Sequence, residues 1–520
     1  MNATTLAWYE KAAGKRKPRS ATPNKDPHRR KRDRRQQTKA LFSADVHDTD
    51  KQHMASPLPH RLPTDETVSR HHARHQLAKT RRTVSTESAD RRTSQQSPTT
   101  APLLRAPLFA ANAVPPESRA ILARFDALSA RVCALNGRQQ EQLAASIKRL
   151  SHALTDERAS RRIGYMNDSS TVSAYISYFM WWNLERMTRL LANLPHSLLS
   201  FTDGDAVLDV GSGTLTVPIA LWLARPDLRL RRLTIYCLDT SQNALAIGEE
   251  LYLAIVAQTM AQTVDMGAAS EESAVAPWRI VRIRGAFGDG VQLREKVALI
   301  TCANVFNEIT QTSTMPPDYL AKKYTHELLQ YARDKSASVL LVEPGDPKSA
   351  RFVALMRDAL LRSEYAPVSP CPHSGSCPMS GRRTAADGTW SGKWCNFAFA
   401  TDDAPHALRT LSERVGLSKT RAGLSFLLAT HNTDTTQNHA DRHGQKSSAP
   451  TTRIAARIAS DVIVLPELHR VGYYACSERG LLLVLDGRHL HPQNGDLITV
   501  RAPHPDAARD GKSGALIVEL

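Results

Sequence analysis

The pattern of apolar and polar positions divides the chain into segments with different periods. Between residues 117 and 200, apolar residues recur every three or four positions, which is typical of amphipathic helices. From residue 205, apolar runs alternate with helical stretches, and this alternation predicts an α/β fold with a parallel sheet covered on both faces. The predicted strands are residues 206–210, 233–239, 278–283, 297–302 and 339–343.

The remaining segments lack this alternation. Residues 1–110 are rich in Arg, Ser, Thr, Gln and His without any apolar period, so a disordered basic tail is predicted. Short apolar runs near the C-terminus predict a small β unit. The predicted domains are a tail at 1–110, a helical domain at 111–200, an α/β domain at 201–365, a cysteine-rich region at 366–430, a disordered loop at 431–452 and a β unit at 453–520.

The composition excludes several classes of protein. Apolar residues make up 41% of the 520 residues, enough for two or three domains with real cores. No uninterrupted apolar run approaches the ~20 residues that span a bilayer, and no secretory signal is expected, so a membrane is not a predicted partner. Seven cysteines are too few for a disulfide scaffold, so clustered cysteines indicate metal binding or catalysis.

The positive charge is concentrated in the tail. The formal net charge is +17, and residues 1–100 hold 22 Lys and Arg against 10 Asp and Glu, a net of +12 that leaves +5 for the remainder. The tail is predicted to contact RNA phosphates, with a solvated tail or an organellar targeting segment as alternatives. Its acidic residues Glu10, Asp26 and Asp33 favour a bacterial-type cytoplasm over the mitochondrial matrix.

A glycine-rich turn follows the first predicted strand. Asp209 lies in that strand just before the turn, and Gly211 and Gly213 allow a close approach of the backbone to a ligand. Asp239 closes the second strand, where it can accept hydrogen bonds from ribose hydroxyls. Either S-adenosylmethionine or a dinucleotide fits this arrangement. The dinucleotide fingerprint G-x-G-x-x-G fails because residue 216 is Thr, and Asp209 suits a cofactor with a cationic amino-acid end.

The fourth predicted strand leads into a second polar segment, residues 301–308. Asn304 is a further candidate for cofactor binding, whereas Asn307 and Glu308 either position a substrate or cap the next helix. The segment has neither a motif for methylating an exocyclic amine nor the Pro-Cys pair of C5-pyrimidine enzymes, and Cys302 is predicted to lie in the core. No catalytic residue is predicted.

Four cysteines form the most specific local feature. Cys371 and Cys377 are separated by five residues and each is followed by Pro, Cys395 lies after Trp394, and Cys476 lies in the β unit. Four converging thiolates suit either structural zinc or an iron–sulfur cluster. The other three cysteines lie in helical or strand patterns and are predicted to be core residues.

These segments together resemble the methyltransferase-like protein seventeen family, which comprises mitochondrial small-ribosomal-subunit assembly proteins and their bacterial relatives. The resemblance covers about residues 117–500. Three sets of motifs carry it: the turn 209–213 with segments 305–308 and 343–345, the cysteine motifs 370–373, 377–378 and 394–397, and the basic stretch at Lys419 and Arg421 with Gly495-Asp496.

The resemblance implies a class I methyltransferase, Rossmann-like fold with a cysteine-rich metal region. It also implies S-adenosylmethionine, a 4Fe-4S cluster held by the four cysteines, and binding to the small ribosomal subunit and its rRNA during assembly. This chain departs from the family at three positions: Leu215 replaces a glycine, Asn396 a histidine and Asn494 a tryptophan.

Three functions are compatible with the sequence. The first is a methyltransferase-like protein that uses S-adenosylmethionine and binds small-subunit rRNA. The second is a non-catalytic RNA-binding assembly factor on a methyltransferase fold. The third is a zinc-stabilised enzyme that acts on a small acidic substrate.

Deleting residues 1–100 is expected to weaken RNA binding and to flatten its dependence on salt, because fewer cations are released from the RNA. Fluorescence anisotropy over a salt series measures both quantities. An unchanged slope would contradict a phosphate-contacting tail, and unchanged cofactor binding is the expected control.

Overall fold

A computed structural model of the chain describes residues 106–155, 165–265, 276–381, 392–431 and 452–520, except for positions 312, 335 and 505. The predicted basic tail up to residue 105 lies outside these ranges, as does nearly all of the predicted loop at 431–452.

The first described elements are helical, as predicted. They are α1 (Pro116–Ala123), α2 (Phe125–Val132), α3 (Gly137–Thr155), α4 (Ser169–Ala174) and α5 (Trp181–Asn193), with a π-helical segment, Tyr175–Met180, between the last two. The aromatic residues Tyr178, Trp181 and Trp182 are buried. The Trp181 indole donates to the Leu122 carbonyl oxygen at 3.0 Å, so these rings pack helix against helix and are not an exposed stacking platform.

The α/β region follows the predicted alternation. Its elements are β1 (Ala206–Val210), α6 (Thr216–Ala224), α7 (Pro226–Arg229), β2 (Thr234–Asp239), α8 (Gln242–Asp265), β3 (Arg279–Arg284), β4 (Leu299–Ala303), α9 (Phe306–Ile309), α10 (Pro317–Leu329), β5 (Ser338–Glu343), α11 (Pro347–Arg362), β6 (Tyr365–Ser369), β7 (Phe397–Ala400), α12 (His406–Arg414) and β8 (Arg421–His431). Every residue of β1 is buried, because both faces of the sheet are covered.

The order of the strands identifies the fold. The sheet runs β3-β2-β1-β4-β5-β8-β6, and β8 is antiparallel to both of its neighbours, β5 and β6, while β7 pairs with β8 off this path. The strands from β3 to β5 are all parallel. This mixed sheet with one reversed strand near its edge is the class I methyltransferase topology, so the α/β, Rossmann-like part of the predicted fold class is confirmed.

The sheet extends beyond the predicted α/β domain at residue 365. Strands β6 and β8 come from the segment predicted to be a cysteine-rich region, and β8 lies between β5 and β6. The cysteine-bearing segment connects two strands of this sheet, since Cys371 follows β6 and Cys395 precedes β7.

Helix α8 is rich in apolar residues. Residues Gln242–Gln262 are long and apolar enough to cross a membrane by length and composition alone. In the structure, Leu245, Leu251, Tyr252 and Ile255 are buried, and α8 packs against α1, α2 and α6. Its apolar character is therefore that of a core helix enclosed between the sheet and the helical region.

A second sheet forms the C-terminal unit. Its strands are β9 (Arg453–Ile458), β10 (Ile463–Leu465), β11 (Arg470–Ser477), β12 (Gly480–Leu485), β13 (Leu497–Arg501) and β14 (Leu516–Glu519). The order is β13-β9-β11-β12-β14, in which only β12 and β14 pair in parallel, and β13 lies beside β14 without pairing to it. Apart from the added hairpin strand β10, this is the topology of a five-stranded, partly open oligonucleotide/oligosaccharide-binding barrel.

Glycine 248 allows helix α8 to approach the turn after β1. A Cβ added to Gly248 would lie 2.6 Å from the carbonyl carbon of Thr214 and 2.7 Å from a side-chain carbon of Leu215. Gly248→Ala is therefore expected to destabilise the protein by about 1–3 kcal/mol through overpacking, as measured by denaturant unfolding.

Gly137→Ala is the matched control, because a Cβ on Gly137 meets nothing within 4 Å. This control is expected to be neutral or to stabilise by up to about 1 kcal/mol. Equal stabilities for the two variants would contradict the close approach at Gly248.

Candidate cofactor and metal sites

The strand order creates a crevice at the carboxyl edge of the sheet. The chain passes from β1 to β2 on one side of β1, whereas β4 pairs with the other side of β1. Ligands of open α/β sheets bind outside the carboxyl ends of the strands at such a reversal. The predicted residues Asp209, Gly211, Gly213 and Asn304 all lie at or next to the carboxyl ends of β1 and β4.

Asp209 joins the two strands at this point. Its side chain is 1% exposed, and it accepts hydrogen bonds from the hydroxyls of Ser212 in the turn and Thr301 in β4. Burial raises the pKa of Asp209 to about 7, against the opposing effect of these two donors. The two hydrogen bonds tie the turn to β4 through this buried carboxyl.

The turn itself needs glycine at two positions for different reasons. Gly211 has φ +67°, and a Cβ there would lie 2.4 Å from a methyl carbon of Val305, so the turn packs directly against the segment after β4. Gly213 has φ +51°, and a Cβ there would meet nothing within 4 Å. The backbone at Gly213 therefore faces open space where a ligand can approach it.

Leu215 stands where the family pattern has glycine, and the structure accommodates it. Its φ is +60°, a left-handed conformation, and it immediately precedes helix α6. The side chain is fully buried and lies over Gly248 of α8. Leu215 thus projects into the core beneath the turn and leaves the ligand side clear.

Asp239 lies at the end of β2, as predicted. One carboxylate oxygen accepts the Gly213 N–H at 2.9 Å and the other accepts the Ser241 N–H at 2.8 Å. Burial raises the pKa of Asp239, and these N–H donors oppose the rise. Hydrogen bonds from the Thr240 backbone and hydroxyl act in the same direction as these donors. The carboxylate lies directly beside the open position at Gly213.

Glu343 is a site residue that the sequence analysis did not assign. It is 1% exposed at the end of β5 and accepts the backbone N–H groups of Val305, Phe306 and Asn307 at 2.8–3.1 Å. Burial raises the pKa of Glu343 to about 8, although the three donors oppose that rise. Glu343, rather than Asn307 or Glu308, thus caps helix α9 and fixes the segment after β4.

The residues after β4 line a neighbouring cavity. Asn304 has φ +57° and donates its N–H to the Val342 carbonyl oxygen, which turns the chain sharply at the end of β4. Asn307 and Glu343 help to line a cavity of about 360 Å³ between α9, α10 and α11. The Asn307 Oδ1 atom is buried there without a hydrogen-bond partner in the part of the chain that the structure describes.

The helical region contributes a polar group to the same edge. The Arg186 guanidinium donates to the Gly423 carbonyl oxygen at 2.6 Å and to the Asn183 side chain, and burial lowers its pKa to about 10. Burial raises the pKa of Tyr175 to about 12, with the charge of Glu308 adding to the rise. No local sequence pattern marks Tyr175 or Arg186, because their partners lie in distant segments.

The four predicted metal ligands lie on three segments of the chain. Cys371 and Cys377 belong to the segment after β6, Cys395 precedes β7, and Cys476 lies on β11 of the barrel. All four are free thiols. Burial is the largest cause of the raised pKa of Cys476, and the charges of the other three cysteines raise it further.

Two buried arginines and one histidine surround these thiols, and none was predicted. Arg357 on α11 donates to the Cys371 sulfur at 3.3 Å and to the Gly375 carbonyl oxygen at 2.7 Å. Arg457 on β9 is the direct cross-strand neighbour of Cys476 and donates to the Pro370 carbonyl oxygen at 3.0 Å. The His373 Nε2 atom lies 3.2 Å from the Cys476 sulfur.

The charges near the thiols act in opposite directions. Burial raises the pKa of Cys371, whereas the Arg357 and Arg457 guanidinium groups lower it. Burial raises the pKa of Cys377 to about 11, and Cys371 adds to this rise.

Within the described ranges, no group of three or more His, Cys, Asp or Glu is arranged to hold a metal ion.

The fold and the glycine-rich crevice together define a protein of the class I methyltransferase-like type. The chain belongs to the mitochondrial small ribosomal subunit Rsm22 family, whose model matches residues 169–436. This match confirms the family resemblance found in the sequence.

Solved structures with related folds are only distantly similar. A precorrin-6y C5,15-methyltransferase from Geobacter metallireducens shares 10% identity over 45% of this chain and 84% of its own, with a TM-score of 0.26. An S-adenosylmethionine-dependent methyltransferase from Geobacter sulfurreducens shares 12% identity over 55% of this chain and 98% of its own, with a TM-score of 0.24. A putative RNA methyltransferase from Pyrococcus horikoshii shares 10% identity over 57% of this chain and 99% of its own, with a TM-score of 0.23. No curated protein matches the chain.

Proposed function

We propose that the chain binds S-adenosylmethionine in the crevice between β1 and β4 and acts on, or binds, the rRNA of the small ribosomal subunit. The observation that carries the cofactor proposal is the open position at Gly213, with the Asp239 carboxylate beside it. The turn precedes helix α6, whose first N–H groups supply positive partial charge at the same edge.

Each predicted residue has a distinct role in this proposal. Gly211 and Gly213 bring the backbone close to the cofactor, and Asp239 accepts hydrogen bonds from its ribose hydroxyls. Asp209 is a positioning residue that holds the turn through Ser212. Asn304 closes the crevice from the β4 side. Methyl transfer from a sulfonium needs mainly alignment of donor and acceptor, which these rigid contacts supply.

We further propose that Cys371, Cys377, Cys395 and Cys476 hold a 4Fe-4S cluster, with zinc as the alternative. The donor set suits either group, because both take four thiolates. Four thiolates outweigh the charge of the bound metal, and the two guanidinium groups of Arg357 and Arg457 lie where they offset the excess. A bound centre supplies folding energy by joining β6, the segment before β7 and the barrel.

The partner follows from the family description and the charge. The description of the family names the mitochondrial small ribosomal subunit. The chain also carries a net charge of +17, which favours contact with RNA. The same description fits the mitochondrial matrix, the second of the two locations expected from the sequence. A bacterial-type cytoplasm provides the same partner.

A second candidate is a cofactor-binding assembly factor that transfers no methyl group. The observation that favours it is that the buried carboxyls Asp209 and Glu343 are both occupied by internal donors. Neither is then available as a general base. Transfer of a labelled methyl group to small-subunit rRNA by the purified chain would exclude this candidate.

Isothermal titration with S-adenosylmethionine tests the cofactor site. The wild-type chain is expected to bind it, with competition by the demethylated product S-adenosylhomocysteine. Asp239→Asn is expected to weaken binding roughly tenfold or more, because hydrogen bonds to a charged group contribute about 1.5–3 kcal/mol.

Asp203→Asn is the matched control, since Asp203 precedes β1 at the opposite edge of the sheet and pairs with Arg232. It is expected to bind like the wild type. No heat and no competition with the wild-type chain would overturn the cofactor proposal.

Anaerobic purification tests the metal proposal. A brown protein with a broad absorption band near the edge of the visible range is expected, and a colourless zinc protein would overturn the cluster. Replacing any one of the four cysteines with Ser is expected to lower both iron content and thermal stability, because a group bound only by the folded state stabilises it.

Cys133→Ser serves as the control for this series, since Cys133 follows α2 and belongs to the helical region. It is expected to retain wild-type iron content. Wild-type iron content and melting in all four variants of the proposed ligands would refute a shared site.

A further inference from the structure

The C-terminal barrel has a groove of about 800 Å³ at its open seam. The groove is bounded by β9, β13 and β14 and by the segment after β13. We propose that this groove binds the phosphate backbone of an RNA strand, as a contact separate from the basic tail and from the cofactor crevice. The inference rests on the proposed association with RNA and names a surface for it.

The usual ligand face of such a barrel is already occupied in this chain. Oligonucleotides bind these barrels across the second and third strands, which correspond to β11 and β12. Tyr474 and Cys476 on β11 and Leu481 and Leu483 on β12 point outward, yet they are buried in a cluster with the rest of the chain. Cys476 belongs to the cysteine group described above. A strand of RNA must therefore use another surface of the barrel.

The groove carries three exposed arginines, Arg453, Arg488 and Arg501. Among the described residues, none of the three has a hydrogen bond or ion pair of its side chain. Arg453 and Arg501 lie directly opposite each other on β9 and β13. Like charges at paired positions destabilise a sheet, and an anion between them removes that penalty.

Among the described residues that line the groove, no carboxylate side chain is free to neutralise these arginines. The acidic side chain that lines the groove is Glu519, which accepts a hydrogen bond from Arg470 at 2.6 Å. Residues 452–520 contain eight Lys and Arg and eight Asp and Glu, so the basic groove reflects segregation of charge within a neutral unit. Asp486 and Asp510, for example, accept internal N–H or O–H groups.

The lining also indicates which part of the RNA is bound. Among the described residues the lining contains no Phe, Tyr or Trp, and its one ring, His504, contacts Asp506. Stacking on aromatic rings is how single-stranded-RNA sites hold bases. Guanidinium groups instead form bidentate hydrogen bonds with phosphate oxygens. The geometry therefore suits recognition of successive phosphates without preference for base sequence.

The test is a triple variant, Arg453→Gln, Arg488→Gln and Arg501→Gln, in the full chain. Fluorescence anisotropy measures its binding to a labelled single-stranded RNA of about 12 nucleotides over about 50–200 mM salt. The affinity for RNA is expected to fall roughly tenfold. The slope of log K against log salt is expected to become shallower by about 2, since each of the three lost phosphate contacts contributes about 0.7 to it.

A charge-matched control replaces three exposed arginines elsewhere, Arg131, Arg138 and Arg409, with Gln. It is expected to keep most of the affinity and slope. Equal losses of RNA affinity in the two triple variants would overturn the proposal. Unchanged RNA affinity in the groove variant would also overturn it, and this is the result expected if the groove binds an acidic protein surface instead. Titration with S-adenosylmethionine in the same variants separates this outcome from failure of the cofactor site.

Discussion

The close contact between the turn after β1 and the segment after β4 is the constraint on which the candidate cofactor crevice depends. Gly211 packs against Val305 with no room for a side chain, and Asp209 bonds the turn and β4 together. Glu343 fixes the far side by holding three N–H groups of the segment that contains Val305. Two buried carboxyls thus set the shape of the crevice, while Asp239 remains beside its open part.

The contacts around the four cysteines place a second constraint on the molecule, because they link the two sheets. Pairing of β9 with β11 places Arg457 opposite Cys476, and Arg457 reaches the Pro370 carbonyl oxygen next to Cys371. The outward face of β11 therefore becomes a wall of the cysteine group. That use of the face is incompatible with oligonucleotide binding there, whereas the groove beside β13 and β14 carries three exposed arginines.

The sequence predicted what depends on local period and missed what depends on long-range pairing. The strands of the βαβ units and the turn at Gly211 are visible because helix and strand periods alternate there. Strand β8 was not assigned, since its neighbours β5 and β6 precede it by many residues. The capping role of Glu343 and the pairing of Arg453 with Arg501 were invisible for the same reason, because each depends on a register that only the folded chain defines.

Leu215 shows how a departure from a family pattern is resolved by a distant residue. A left-handed conformation costs a residue with a Cβ about 1–2 kcal/mol, whereas full burial of a leucine side chain contributes about 1.5–3 kcal/mol. Burial is possible because Gly248 leaves space on α8 for the Leu215 side chain. Glycine is therefore needed in helix α8, at Gly248, rather than at position 215 of the turn. The backbone at Gly213 still faces open space.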